Sequence, residues 1–173
     1  VPEEADGHPK HAIAPRASYA YAFPIQQRAG TYWYHPHAHH RTAEQIQRGL
    51  AGFLIVSDEE EAALSLPSGG REILLMLQDR DAPAAAAFAY APGATDMHHG
   101  MLRGTAFGNG VRRPGLDVAG GCYRFRLVNA SHARVYRLGL SSGAPLTVIG
   151  NDGGLLPAAT EAAGILLGMG ERS

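Results

Sequence analysis

The sequence predicts an all-β fold, a sandwich or barrel built from short strands. Three observations predict it. Apolar and small or polar residues alternate with period 2 in short runs, as in Ser18–Phe23 and Tyr123–Val128. Gly, Pro and Asn turn signals separate the runs, among them Asn109-Gly110 and Asn151-Asp152-Gly153-Gly154. Apolar residues make up 45% and charged residues 18% of 173 residues, which excludes wholesale disorder and leaves room for one domain or two small ones.

The elements follow in order. Val1 to Arg16 is polar and interrupted by proline, and reads as loop. In Ser18–Phe23 the side chains of Tyr19, Tyr21 and Phe23 share one side, which predicts a strand. Gly30 resets the chain, and Thr31–Tyr34 opens a second strand that runs into a group of histidines. Thr42–Arg48 predicts a short helix, with Thr42 as N-cap and Gln45 completing a capping box. Gly49–Val56 is an apolar strand punctuated by glycine. Residues 58–70 turn acidic and then rich in Ser, Pro and Gly; they read as a linker whose acidic run faces solvent. This divides the chain into residues 1–57, a linker at 58–70, and a second unit at 71–173. The second unit predicts strands at Ile73–Leu77, Tyr123–Val128, Val135–Leu140, Leu146–Ile149 and Ile165–Leu167, with a loop over Ala82–Ala94.

Charge and cysteine content narrow the function. The net charge is −1, and the 15 basic residues are scattered, so binding nucleic acid or an anionic membrane through bulk charge is excluded. A single cysteine, Cys122, excludes an internal disulfide and a Cys-rich metal site; it reads as a small apolar residue in a strand Gly121–Tyr123. No apolar run reaches membrane-spanning length, and the first residues lack a signal-peptide pattern. His8, His11 and His132 are isolated in sequence and read as loop or surface residues.

Trp33-Tyr34-His35-Pro36-His37-Ala38-His39-His40 is the most informative stretch. On an extended chain, residues two apart point the same way, so His35, His37 and His39 can present three imidazoles to one face. Neutral imidazole binds copper, zinc, nickel or iron, and this spacing makes the segment a candidate metal site.

The segment from Gly30 to His39, followed by Gln45 and by Gly49–Asp58, resembles the end of the first cupredoxin domain of multicopper oxidases, the bacterial laccase-like and copper-efflux type. Leu127-Val128-Asn129-Ala130 with Ala133-Arg134 is similar to a stretch of that family's second domain, and Asp152-Gly153-Gly154 and Met169–Arg172 fit its later turns. Residues Val1–Pro9 look like the loop that follows the family's first histidine motif. The resemblance implies Greek-key, cupredoxin-like β-sandwiches, one partial and one nearly complete, in an internal fragment of a larger enzyme. It implies that His35 and His37 ligate the type 3 copper pair, one to each metal, that His39 supports them, and that Asp6 relays protons to reduced oxygen. It implies copper as cofactor, with the type 1 and type 2 sites outside this chain, and O2 plus a phenol, an amine or Cu(I) as reaction partners. It also implies a periplasmic or secreted location, and a fragment that is inactive alone. Three places depart from the family pattern: His40 and Arg16 stand where it has turn glycines, and Arg103–Gly110 stands where it has Gly-Asp-Thr-x-x-Val-Asn-Gly. The Met97-His98-His99-Gly100-Met101 stretch carries ligands suited to Cu(I), but it lies outside the family's copper motifs and reads as surface loop.

Two other readings stay open. One is a copper-free cupredoxin-like scaffold serving the cell envelope, against which the retained histidines argue. The other is a mononuclear His-x-His metal protein of cupin type. That class wants a glutamate close behind the histidines, and Glu44 lies too far along the chain.

Overall fold

The computed structural model describes residues 1–81 and 89–173. Residues 82–88 of the expected Ala82–Ala94 loop lie outside the described residues. The fold is all-β, with three short α-helices among the described residues.

The first pairing is an antiparallel hairpin of β1 (Gly30–Tyr34) and β2 (Gly52–Val56), with Trp33 opposite Phe53 and Tyr34 opposite Gly52. Glycine suits position 52 because the Tyr34 ring lies where a Cβ would stand. Between the strands runs α1 (Thr42–Gln47), close to expectation. Its cap differs. Arg41 holds the N-cap position without a side-chain bond, and the Thr42 hydroxyl donates back to the Ala38 carbonyl at 3.3 Å. The expected capping box therefore does not form, because that hydroxyl is engaged in the preceding turn.

The second unit centres on a four-stranded sheet in the order β5-β4-β3-β6. Its members are β3 (Glu72–Arg80), β4 (Thr105–Gly108), β5 (Val111–Arg112) and β6 (Arg124–Asn129). β4 runs antiparallel to β3 and β5, whereas β6 runs parallel to β3. The Asn109-Gly110 turn has φ of 49° and 75°, the left-handed pair that suits a tight hairpin. Asn109 does more than turn the chain. Its Oδ1 accepts from Met76 N and its Nδ2 donates to Leu74 O, both at 2.8 Å, which locks the register of β3. β7 (Tyr136–Leu138) pairs with β10 (Ile165–Leu167), and β8 (Leu146–Asn151) pairs with β9 (Gly154–Ala162).

Several expectations fail for physical reasons. Ser18–Phe23 forms no strand. Tyr19 and Tyr21 do share a side, with ring centroids 4.9 Å apart, but no described strand offers this segment a backbone ladder. Cys122 is exposed and precedes β6 rather than lying in a strand. The helix α3 (Ala94–His99) begins inside the expected loop; Asp96 accepts from Gly93 N at 2.9 Å and holds Arg103 through both carboxylate oxygens. β9 carries no strand signal in the sequence, because Pro157 and the adjacent alanines hide its alternation.

The acidic run faces solvent at Glu59 and Glu60, as expected, but not at Glu61. Residues Glu59–Ala63 form α2, capped by Asp58, whose Oδ1 accepts from Glu61 N at 2.8 Å and whose Oδ2 accepts from Ala29 N at 2.7 Å. Glu61 is not solvated. Only 7% exposed, it pairs with Arg124 and with Arg126 at 2.6 Å. Arg126 also binds Glu72 at 2.6 Å and approaches Thr31 Oγ1 at 3.3 Å. The segment read as a linker thus fastens the hairpin to β6. Apolar packing acts at the same joint: Trp33, Ala51 and Phe53 pack against the buried cluster of Met76, Val128 and Ala130.

Burial alone would raise the Glu61 carboxyl, but Arg124 and Arg126 outweigh it and hold the group below the usual 4.5. Backbone N–H groups of Glu61 and Ala29 lower Asp58, and Arg103 lowers Asp96 to about 2. All three shifts are downward, so their stabilisation is complete above the ordinary carboxylate range and is lost as pH falls through it. Glu61→Ala is expected to cost about 3 kcal/mol at pH 7, the lower end for breaking a buried pair, because Glu72 still faces both arginines. Its stability should also fall less steeply below pH about 4.5 than that of the parent. Urea unfolding at pH 7 and pH 4 measures both. A second expectation concerns backbone strain. His40 and Arg16 sit at φ of 60° and 66°, as the missing turn glycines imply. His40→Gly should stabilise the protein by up to about 1 kcal/mol, read from the same curves.

Candidate metal centre

The pleat of β1 puts Thr31 and Trp33 on one face, and Trp33 is seated on the Met76, Val128 and Ala130 cluster. Beyond Tyr34 the strand pairing ends, but Pro36 keeps the residue before it out of the helical region, so the chain stays extended. His35 and His37 therefore continue on the side of Trp33. The three rings form a ladder, with centroids 4.6 Å apart from Trp33 to His35 and 5.3 Å from His35 to His37.

The tautomer of His35 follows from its partner. Nδ1 lies 3.1 Å from the Pro36 carbonyl oxygen, which can only accept, so Nδ1 carries the proton. Nε2 is left with its lone pair as the ligand atom of that ring. His37 is exposed, and the turn at Gly7 packs against it. Gly7 has φ +70°, and a Cβ there would stand 3.0 Å from His37 Cβ, so this close approach needs glycine. Asp6, immediately before it, is exposed at the end of a short 3-10 helix, Glu3–Ala5. The structure thus brings the Asp6–Gly7 turn to His37. Two adjacent imidazoles, one with a defined free nitrogen, in a cradle closed by a glycine, fit copper.

His39 does not join the pair. A turn closed by Arg41 N on the Ala38 carbonyl at 2.9 Å bends the chain, and the His39 ring packs on His40 at 3.9 Å instead. Strand spacing therefore holds for two imidazoles and not for the third. Glu44 pairs with Arg48 at 2.7 Å and with Arg41 at 3.7 Å, so it is engaged away from the histidines. In the Met97–Met101 stretch, Met97 is exposed and Met101 is buried, so the two thioethers do not converge. His132 is partly buried; burial lowers its pKa against the opposing pull of Asp79.

His8 and His11, expected to be isolated, come together with Glu3. No element periodicity marks that grouping in the sequence. The one usable signal is the Asp6-Gly7 turn, which folds one half of the loop onto the other.

The second unit holds the ladder in place. Asn129, fully buried, donates to the carbonyls of Arg134 at 2.7 Å and Leu167 at 2.9 Å and accepts from Ser131 N at 3.0 Å. Its backbone closes on Glu171 and Gly170. Arg172 Nε then donates to the Thr31 carbonyl at 3.0 Å, tying the Met169–Arg172 turn to β1.

Residues 2–61 match the family model for a multicopper oxidase domain. The cell division protein FtsP of Xenorhabdus nematophila is 39% identical over 99% of this chain, and that of Escherichia coli K12 is 37% identical over the same share. The chain spans about a third of the length of these curated relatives, 36% in each case. Among solved structures, the laccase-like multicopper oxidase CueO of Ochrobactrum sp. superposes with a TM-score of 0.91 at 34% identity, covering 99% of this chain and 39% of that one. McoA of Aquifex aeolicus superposes at 0.86 with 39% identity, covering 98% and 38%. Residues 2–61 thus match a multicopper oxidase domain, and in fold and histidine motif nearly the whole chain is similar to solved laccase-like multicopper oxidases.

Proposed function

We propose that this chain supplies part of the type 3 copper site of a laccase-like oxidase, which couples one-electron oxidation of phenols, amines or Cu(I) to reduction of O2 to water. The observation that carries this reading is the Trp33–His35–His37 ladder beside the Asp6–Gly7 turn. His35 and His37 would each hold one copper. Copper bound there supplies the one-electron steps that reduction of O2 requires.

The protein's own residues do the rest. Pro36 accepts the Nδ1 proton of His35 and so keeps Nε2 aimed as a base. Trp33, wedged against the apolar cluster, fixes the plane on which the His35 ring rests. Asp6, exposed beside the Gly7 turn that packs on His37, can pass protons from solvent to oxygen as water forms. In this reading the working enzyme needs ligands and an electron entry site that this chain does not provide, and it acts in the periplasm or cell envelope.

A second reading has its own support. The curated relatives, matched over 99% of the chain, are named for cell division. In that reading the same cupredoxin-like scaffold serves assembly of the cell envelope without copper chemistry, as an interaction surface rather than an enzyme.

Metal analysis and oxygen uptake on the full-length protein separate the two. About four coppers per chain with sustained O2 consumption support the oxidase. No retained copper after loading, together with a division defect on deletion, supports the scaffold. In the oxidase, His35→Ala or His37→Ala should abolish oxygen reduction while leaving blue type 1 absorption; activity retained in both variants would sink the assignment. Asp6→Asn should slow turnover at unchanged copper content, since a proton donor is lost and no ligand is. An unaltered rate across acidic and neutral pH would refute that role.

A further inference from the structure

We propose that Glu3, His8 and His11 form a second, mononuclear site for a divalent transition metal, Cu(II) by preference, on the loop that packs against His37. The site is separate from the His35 and His37 pair and depends on neither reading of the function.

The loop is shaped to bring these three residues together. Asp6 N closes on the Glu3 carbonyl at 3.3 Å, which forms the first tight turn. Gly7 at φ +70° then reverses the chain. A second turn follows, a 3-10 helix over Pro9–His11 in which His11 N donates to the His8 carbonyl at 2.9 Å. In a 3-10 turn residues three apart eclipse, so His8 and His11 face the same way. Their rings meet edge to face at 5.9 Å. His11 Nε2 stands 3.5 Å from Glu3 Oε1, and one donor atom from each of the three residues lies within 4.8 Å of the other two.

The donor set sets the class of ligand. Two imidazoles and one carboxylate suit a borderline divalent ion, and the general affinity order for such ions places Cu(II) above Zn(II) and Ni(II). Metal–nitrogen and metal–oxygen bonds of about 2.0–2.2 Å require the three donors to close further, which side chains on an open loop can do. Binding also has a definable cost. Lys10 N donates to His8 Nδ1 at 3.2 Å. A metal on Nδ1 displaces that bond, and a metal on Nε2 moves the ring proton to Nδ1, so the bond is lost either way. With three protein ligands and open positions left for water, the ion exchanges readily. Such a site holds copper loosely next to a pair of imidazoles, rather than locking it into the structure.

The test is Cu(II) uptake by the full-length protein, followed by equilibrium dialysis, metal analysis and electron paramagnetic resonance. The parent should take up one exchangeable Cu(II) beyond any tightly held metal, with coupling to two imidazole nitrogens. His8→Asn and His11→Asn should each weaken that uptake by at least about tenfold. Glu3→Gln removes only a charge and leaves the turns intact, and it should weaken uptake severalfold. Zn(II) should compete less well than Cu(II). The exchangeable ion should persist in the His35→Ala, His37→Ala double variant. Uptake unchanged in His8→Asn and His11→Asn overturns the proposal. So does uptake lost from the His35, His37 double variant alone, or uptake that follows substitution of His39 and His40.

Discussion

A buried carboxylate between two guanidinium groups decides how the two parts of this chain meet. Glu61 approaches from α2, and Arg124 and Arg126 approach from β6. Glu61 and Arg126 would be costly to bury alone, and each is buried because its partners, the half-buried Arg124 among them, are there. Arg126 extends the network to Glu72 at the start of β3 and to Thr31 on β1. β1 therefore lies across β6 with its Thr31 and Trp33 face inward, which is the orientation the histidine ladder inherits. A short charged cluster that holds none of the histidines thus anchors the strand from which they extend.

The comparison with relatives separates scaffold from chemistry. Identity to a cell division protein and to a solved oxidase is equal, 39% in both cases. Overall likeness therefore carries the fold and cannot choose between the two functions. The choice rests on a few atoms: whether the free nitrogen of His35, the ring of His37 and the carboxylate of Asp6 meet their complement in the intact protein.

How much of this was legible in the sequence depended on which force made each feature. His35 and His37 were legible because alternation along an extended chain is a local geometric rule, and Pro36 enforces it. His39 was not, since a backbone turn two residues later overrides that rule. The strands β1, β3, β6 and β10 could be read from their apolar content. Ser18–Phe23 carries the same alternation, yet a strand also needs a neighbour, which no local pattern reports. The acidic run reads as a solvated face by composition, and only the distant Arg124 and Arg126 reveal that Glu61 points inward. The Glu3, His8 and His11 grouping arises from a glycine at positive φ between two tight turns, so residue spacing alone gives no hint of it.

The parallel pairing of β3 with β6 carries a consequence for how the chain acquires its shape. Glu72 meets Arg124 and Leu77 meets Asn129, partners separated by about 50 residues of sequence, whereas β4 and β5 are joined by one tight turn. Closing so long a loop costs entropy before any contact returns it, so local hairpins form early and β6 docks late. Until it docks, Glu61 has no guanidinium partner, and the cluster on which Trp33 rests lacks Val128. The seat of Trp33, against which the imidazole pair stacks, is therefore completed by a strand that contains none of the ligands.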